Sequence, residues 1–201
     1  MNISHHLSSF LFVLIAIEIS LLVLGPVYRQ SAVFYFSFAP LDLTRPYKEG
    51  FDFQKYLMFI SYGFIHSSVI HLGLNVIALG LLGNILKKLG KDNRSFSILF
   101  FSFLGGAISY YLFEPTSPVP LIGANCASFG LLAFVLSEEL LNGTNKGHSV
   151  NQMAYVLLIF IFTHILYFYA FSAIFPVSFI WQGHAGAFFT GALLAYLYRK
   201  T

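Results

Sequence analysis

Charged side chains are scarce in this chain, and their scarcity excludes a soluble globular protein. Of the 201 residues, 9% are charged and 57% are hydrophobic, whereas a soluble domain has about 25% charged residues. The formal net charge of +3 is too small for a nucleic-acid-binding surface, and we interpret it as loop charge that orients the protein in a lipid bilayer. We expect no nucleic-acid partner and no cofactor.

The sequence also lacks the features of a secreted, disulfide-bonded protein. Its single cysteine, Cys126, cannot form an intrachain disulfide. Residues 1–9 contain no Lys or Arg, and no small-x-small cleavage site follows the first apolar run. A cleaved signal peptide is therefore not expected.

Long apolar runs are abundant, and they have the length of about 20 residues that a helix needs to cross a bilayer. They predict one all-α, polytopic membrane domain over residues 1–201, with six transmembrane helices. The predicted spans lie near 7–27, 69–86, 95–113, 123–140, 153–175 and 180–198. The long connection from about Arg29 to Tyr56 is rich in aromatic residues, which favours a loop that lies in the membrane interface.

Basic residues divide unequally between the two sides of such a bundle. Under alternating topology, seven fall on one side and four on the other. Because the cytoplasmic side carries the excess of Lys and Arg, both termini are predicted to be cytoplasmic, and the compact spans fit a bacterial inner membrane best. The seven are Lys87, Lys88, Lys91, Arg94, Lys146, Arg199 and Lys200, and the four are Arg29, Arg45, Lys48 and Lys55.

Polar residues cluster at the N-terminal ends of the second, fourth and sixth spans, which all face the outside in this topology. Polar groups at membrane depth are costly and normally face protein or a water-filled cavity. We predict that the three clusters share one pocket; the alternative is a separate interhelical hydrogen bond for each. The clusters are His66, His71 and Asn75, then Asn125 and Ser128, then His184.

Small residues at four-residue spacing favour contact between the fourth and sixth spans. Ala187 and Gly191 form such a face on the sixth span, and Gly123 and Ala127 form one on the fourth. These faces let two helix backbones approach closely. Contact between them would bring His184 beside the start of the fourth span.

Two further ionisable residues, Glu18 in the first span and His164 in the fifth, lie outside these clusters. Hydrogen bonds that face the bundle, with Glu18 neutral, are favoured over a proton-relay role. A zinc site formed by His66, His71 and His184 is disfavoured. The sequence contains no His-Glu-x-x-His, and no carboxylate or thiolate has ligand spacing to these histidines. We expect no metal site.

Three motifs in these segments occur together. The second span has His-x4-His-x3-Asn as His66, His71 and Asn75. The fourth opens with residues 123–126, followed by an aromatic residue at Phe129, and the sixth has His184 followed by small residues and a glycine at 191. With these motifs the chain resembles the six-span rhomboid intramembrane serine proteases over about Phe51 to Tyr198.

The resemblance implies a site. His184 would be the general base, residue 125 would hold the nucleophile position, and His71 and Asn75 would help to bind the oxyanion. His66 and Gly123 would belong to the same binding region, and Phe129 would pack against His184. The partners implied are transmembrane helices of other membrane proteins. The oligomeric state does not follow from the sequence.

The chain departs from the family motifs at the position that matters most. The family has Gly-x-Ser-Gly in the fourth span, and this chain has Asn125 for the serine and Cys126 for the second glycine. The Trp-Arg pair of the family's first loop is not evident either. A carboxamide nitrogen is delocalised and cannot attack a carbonyl after losing a proton to a base.

Three interpretations follow. The first is a rhomboid-like protein that engages transmembrane segments without cleaving them. The second is an active intramembrane serine endopeptidase, either as a variant of a serine-bearing parent or with a neighbouring nucleophile. Cys126 would be turned by about 100° from residue 125, and Ser128 would lie about 4.5 Å deeper along the helix. The third is a transporter or scaffold that shares only the bundle.

Overall fold

The computed structural model describes residues 5–44, 53–142 and 180–199, together with 158, 161, 162 and 165. These parts of the chain are helical and contain one isolated β-bridge but no strand, which confirms the all-α prediction for them. Single 3-10 turns lie at Tyr62–Phe64 and Asp92–Arg94. The helices are α1 (His5–Leu24), α2 (Pro26–Phe36), α3 (Pro40–Thr44), α4 (Phe53–Ser61), α5 (Val69–Lys88), α6 (Ser95–Phe113), α7 (Asn125–Asn142) and α8 (Trp181–Tyr198).

Three segments of the described chain are long and apolar enough to cross a membrane, namely Leu7–Leu24, Val69–Lys88 and Asp92–Phe113. They correspond to the first three predicted spans. The fourth and sixth predicted spans form α7 and α8, of 18 residues each. Most of the fifth, including His164, lies outside the described residues, so the count of six spans stays a prediction.

Glycines with a left-handed backbone correct two predicted helix ends. The first helix ends at Leu24 rather than near residue 27, because Gly25 has φ +92° and Pro26 begins a new helix. The fourth predicted span begins at Asn125 rather than at Gly123, because Gly123 has φ +94°. A residue in the left-handed region cannot belong to a right-handed helix.

The long connection after the first span is more ordered than the loop predicted for it. Its described residues form α2, α3 and α4. Between α2 and α3, the Phe38 N–H donates to the Leu121 carbonyl at 3.1 Å, and the Leu121 N–H donates back at 2.9 Å. The reason is that backbone groups near lipid must find partners within the protein, which favours helices and paired segments over open loop.

The helices α6, α7 and α8 pack most closely, through glycines. Gly191 of α8 lies against the backbone of Gly130 in α7, and a Cβ at Gly191 would collide with the Gly130 carbonyl. On the other side, Gly186 lies against the Gly105 carbonyl of α6. The predicted contact between the fourth and sixth spans is thus present, but its α7 partner is Gly130 rather than Gly123 or Ala127.

Candidate functional site

The first turn of α5 holds His71 in place. Ser68 caps the helix, and its hydroxyl accepts the backbone N–H of His71 at 3.2 Å. The Ser67 hydroxyl lies 3.0 Å from His71 Nδ1. Capping by serine satisfies a backbone donor that the helix itself leaves without a partner. His71 is therefore held at two points, at its backbone N–H by Ser68 and at ring atom Nδ1 by Ser67.

His71 contacts the first residue of α7. The side-chain nitrogen of Asn125, Nδ2, lies 3.0 Å from His71 Nε2. A carboxamide nitrogen only donates, so with the amide in this orientation His71 Nε2 accepts, and a neutral ring then carries its proton on Nδ1. Nδ1 then donates to the Ser67 hydroxyl. This hydrogen bond joins the second-span and fourth-span clusters predicted from the sequence.

His66 precedes α5 and supports the loop that leads into α7. Its Nε2 accepts the backbone N–H of Ala124 at 3.3 Å, and its ring stands edge-on to His71 with centroids 5.1 Å apart. Only 1% of His66 is exposed. Burial, and after it the proximity of His71, lowers the pKa of His66 to about 3, so this imidazole is neutral and available as an acceptor.

Gly123 leaves room for the two histidines. A Cβ at this position would lie 2.6 Å from His71 Cε1 and Nε2, and its left-handed φ disfavours any other residue type. Its N–H donates to the Tyr62 carbonyl at 2.9 Å. Tyr62 is itself anchored to α6, because its hydroxyl donates to the Phe103 carbonyl at 3.0 Å.

Asn75 and Ser128 continue the same network one turn deeper. Asn75 Nδ2 donates to the His71 carbonyl at 3.1 Å, and the Ser128 hydroxyl donates to Asn75 Oδ1 at 3.2 Å. Only 2% of Asn75 is exposed. Ser128 therefore links α7 to α5 through a carboxamide, which is not a base.

His184 reaches α7 through an aromatic ring. Phe129 stacks on His184 with centroids 4.7 Å apart and an interplanar angle of 26°, so the packing implied by the resemblance is present. The first turn of α8 is held to α6, since the Ser109 hydroxyl donates to the Gln182 carbonyl at 2.8 Å and Gln182 Nε2 donates to Glu114 at 2.9 Å. The second-span and sixth-span clusters thus both contact the first two turns of α7, where the fourth-span cluster lies.

Cys126 points away from this network into the core. It is fully buried, and it faces Gly106 of α6 together with the hydroxyl of Tyr62. A Cβ at Gly106 would lie 2.6 Å from the Cys126 sulfur and 3.0 Å from the Tyr62 hydroxyl. The orientation agrees with the one-residue turn expected from helix geometry.

The histidines do not form a metal-ligand set in the part of the chain that the structure describes. No group of three or more His, Cys, Asp or Glu residues there could hold a metal ion. His66 and His71 are neighbours, whereas His184 lies against Phe129.

One ion pair beside the site was not predicted. Arg29 Nη2 lies 2.7 Å from Glu18 Oε1, and Arg29 Nη1 donates to Glu18 Oε2 at 3.2 Å and to the His66 carbonyl at 2.9 Å. Glu18 thus makes hydrogen bonds inside the bundle, as expected, and its partner is the partly buried guanidinium of Arg29. The sequence signal was an acidic residue inside an apolar run, eleven residues before an arginine that we assigned to loop charge.

A cavity of about 560 Å³ opens between the α2–α3 segment and the loop before Gly123. Ser67 and Arg29 both line it. Since Ser67 also contacts His71, the cavity lies directly beside the hydrogen-bonded site. Its walls are otherwise mostly apolar, and two prolines of the loop, Pro118 and Pro120, contribute to them.

Comparison with known protein families matches the rhomboid domain to residues 54–201. Comparison with curated proteins finds no match to the sequence. The matched region begins within α4 and includes every histidine and asparagine of the network described above. With its apolar membrane-crossing helices, this chain is an integral membrane protein that belongs to the rhomboid family.

Proposed function

We propose that this rhomboid-like protein binds transmembrane helices of other membrane proteins without cleaving them. The observation that carries the proposal is the carboxamide of Asn125 at the start of α7, hydrogen-bonded to His71 at 3.0 Å. It stands where the family motif has the nucleophilic serine. His184 stacks on Phe129, the neighbour that the resemblance implies for the general base, and this contact supports a site that differs from the family at residue 125.

The chemistry of residue 125 supports loss of cleavage. A catalytic dyad needs an oxygen or sulfur that gives its proton to the base and then attacks the carbonyl. Serine proteases that lose a triad member keep only about 10³–10⁴-fold acceleration over the reaction in water. Such a residual rate is far below useful turnover, so retention or targeting of bound helices is the role that fits.

The neighbouring side chains offer no evident replacement. The Ser128 hydroxyl donates to Asn75, and near-attack geometry tolerates an error of about 1 Å poorly. Cys126 is fully buried between α6 and α7. Both observations support a site that has kept its shape without its nucleophile.

The decisive experiment restores the serine. Purified wild-type protein and the Asn125→Ser variant are reconstituted with single-span membrane proteins, and both co-purification and cleavage are measured. We expect wild type to bind without cutting and Asn125→Ser to cut, with cleavage lost again in Asn125→Ser/His184→Ala. Cleavage by wild type that His184→Ala abolishes would overturn the proposal.

An active endopeptidase is the second candidate, because the Ser128 hydroxyl does lie within the network. A fluorophosphonate probe and a thiol-reactive probe distinguish the two. Labelling of wild type that disappears in both Ser128→Ala and His184→Ala would establish Ser128 as the nucleophile, and thiol labelling that depends on His184 would establish Cys126. We expect neither.

For the whole chain we propose one six-span domain with both termini in the cytoplasm, in a bacterial inner membrane. Basic residues at the ends of different helices support a common side, since α5 ends in Lys87 and Lys88 and Arg94 lies 4.4 Å above the Tyr198 ring at the end of α8. Reporter fusions after residues 91 and 201 test the orientation; reporter signals from opposite sides would contradict it.

A further inference from the structure

Arg29 bridges three parts of the chain that are distant in sequence. It begins the second turn of α2, pairs with Glu18 of α1, and donates to the carbonyl of His66 in the segment before α5. Glu18 is 3% exposed and the Arg29 side chain 20% exposed. A guanidinium can serve all three acceptors at once because its donors are arranged in a rigid fork.

His66 connects Arg29 to the start of α7. The backbone of His66 is held by Arg29, and the ring of the same residue accepts the N–H of Ala124, next to Asn125. The ring also packs edge-on against His71. A continuous series of hydrogen bonds therefore runs from Glu18 through Arg29 and His66 to the loop that presents Asn125.

We propose that Arg29 is a positioning residue whose guanidinium holds His66 in register with the loop of Gly123 and Ala124 and so sets the geometry of the site. The inference concerns the site's shape, and it stands or falls separately from whether the protein cleaves its partners. The simpler alternative is that the pair only neutralises a buried charge, in which case removing both charges together would leave the loop unchanged.

Three variants separate the two readings. Arg29→Lys keeps a positive charge for Glu18, but a single ammonium cannot reproduce the fork that reaches His66. Glu18→Gln/Arg29→Gln removes both charges and leaves no unpaired ion in the bundle. Glu18→Gln alone is the control, because its amide oxygen still accepts from Arg29, whose charge can be solvated from the cavity that it lines.

The readout is amide hydrogen exchange of the full-length protein in micelles, measured by mass spectrometry on peptides that cover 121–128. Arg29→Lys and the double variant should exchange about tenfold faster there, with a peptide from α6 unchanged. The ¹⁵N signals of His66 should move in the same variants. Glu18→Gln should exchange within about twofold of wild type.

The exchange rates of the loop before α7 and of α6 decide between the two readings. Faster exchange confined to the loop before α7, in the two variants that lose the guanidinium, supports the positioning role. Exchange at wild-type rates in those variants overturns it. An equal increase in the exchange rate of the α6 peptide would mean a purely structural role and also overturns the proposal. A Glu18→Gln protein that exchanges as fast as the double variant overturns it too.

Discussion

Asn125 Nδ2 lies 3.0 Å from His71 Nε2, and this contact assigns the proton of His71 to the opposite ring nitrogen. Because a carboxamide nitrogen only donates, Nε2 serves as an acceptor. In that state it cannot donate a hydrogen bond to a developing oxyanion, which is the part that the family resemblance implies for His71. If the roles implied by the resemblance hold, the asparagine affects two groups, the nucleophile position and the oxyanion donor.

Replacing Asn125 with Asp reverses the polarity of this contact. A carboxylate only accepts, so we expect the proton of His71 to move to Nε2 or the ring to become doubly protonated. Histidine ¹⁵N spectra of selectively labelled protein report the tautomer directly. Ser128→Ala is the matched control in α7 and should leave the His71 signals in place; an unchanged tautomer in Asn125→Asp would contradict the assignment.

Gly123→Ala should destabilise the protein by about 2–4 kcal/mol, since a left-handed φ and a collision each contribute. The added Cβ would lie 2.6 Å from the His71 ring, so the ring must move away from Asn125. Gly73→Ala in α5 is the control, because a Cβ added at this position meets no atom within 4 Å. This substitution should stabilise the protein by about 0.5–1 kcal/mol. Unfolding in mixed micelles measures both; equal effects would contradict the structure.

Gly191→Ala tests the close packing of α7 on α8. The Cβ would collide with the Gly130 carbonyl, and separating the helices should cost about 1–3 kcal/mol. Because Phe129 and His184 stack between the same helices, the ¹⁵N signals of His184 should shift as well. The control is again Gly73→Ala, and a Gly191→Ala protein as stable as wild type would contradict the observed packing.

His66 should make stability depend on pH in a defined direction. Its pKa is lowered to about 3 in the folded protein and is about 6.5 in an unfolded chain. The unfolded state therefore binds more protons between these values, so stability is full above about pH 6.5 and falls as the pH is lowered towards 3, by at most about 1.4 kcal/mol per pH unit.

His66→Gln isolates that contribution, since its amide oxygen can accept from Ala124 without titrating. The measurement is the free energy of unfolding against pH for both proteins, and the difference between the two curves belongs to His66. We expect wild type to lose stability faster than His66→Gln below pH 6.5. Parallel curves would contradict the burial of a neutral His66.

Much of the helical content could be predicted from local pattern. The third predicted span, 95–113, matches α6 residue for residue, and the second begins at Val69 as predicted. The bilayer demands an apolar segment of a certain length with its backbone hydrogen bonds satisfied internally, and both demands can be read from consecutive residues. The helix ends at Gly25 and Gly123 could not be predicted in the same way, because the sequence does not show which glycines have a positive φ.

The polar residues of the candidate site could be named from the sequence, but their connections could not. Spacing identified His66, His71, Asn75, Asn125 and His184, since polar residues stand out within apolar runs. It did not reveal that Arg29 reaches both Glu18 and the His66 carbonyl. The helix break at Gly25 separates Glu18 from Arg29, and 37 positions separate Arg29 from His66. Only packing brings these three residues together.

The amino-acid sequence by itself determined that this is a helical membrane protein of the rhomboid family, because composition, span length and motif spacing are properties of the chain in order. Tertiary structure alone decided that Gly130 faces Gly191, that Gly106 is the neighbour of Cys126, and that Asn125 contacts His71. Each of these contacts depends on how whole helices pack against one another. Many arrangements share the same local pattern, and only one of them packs closely.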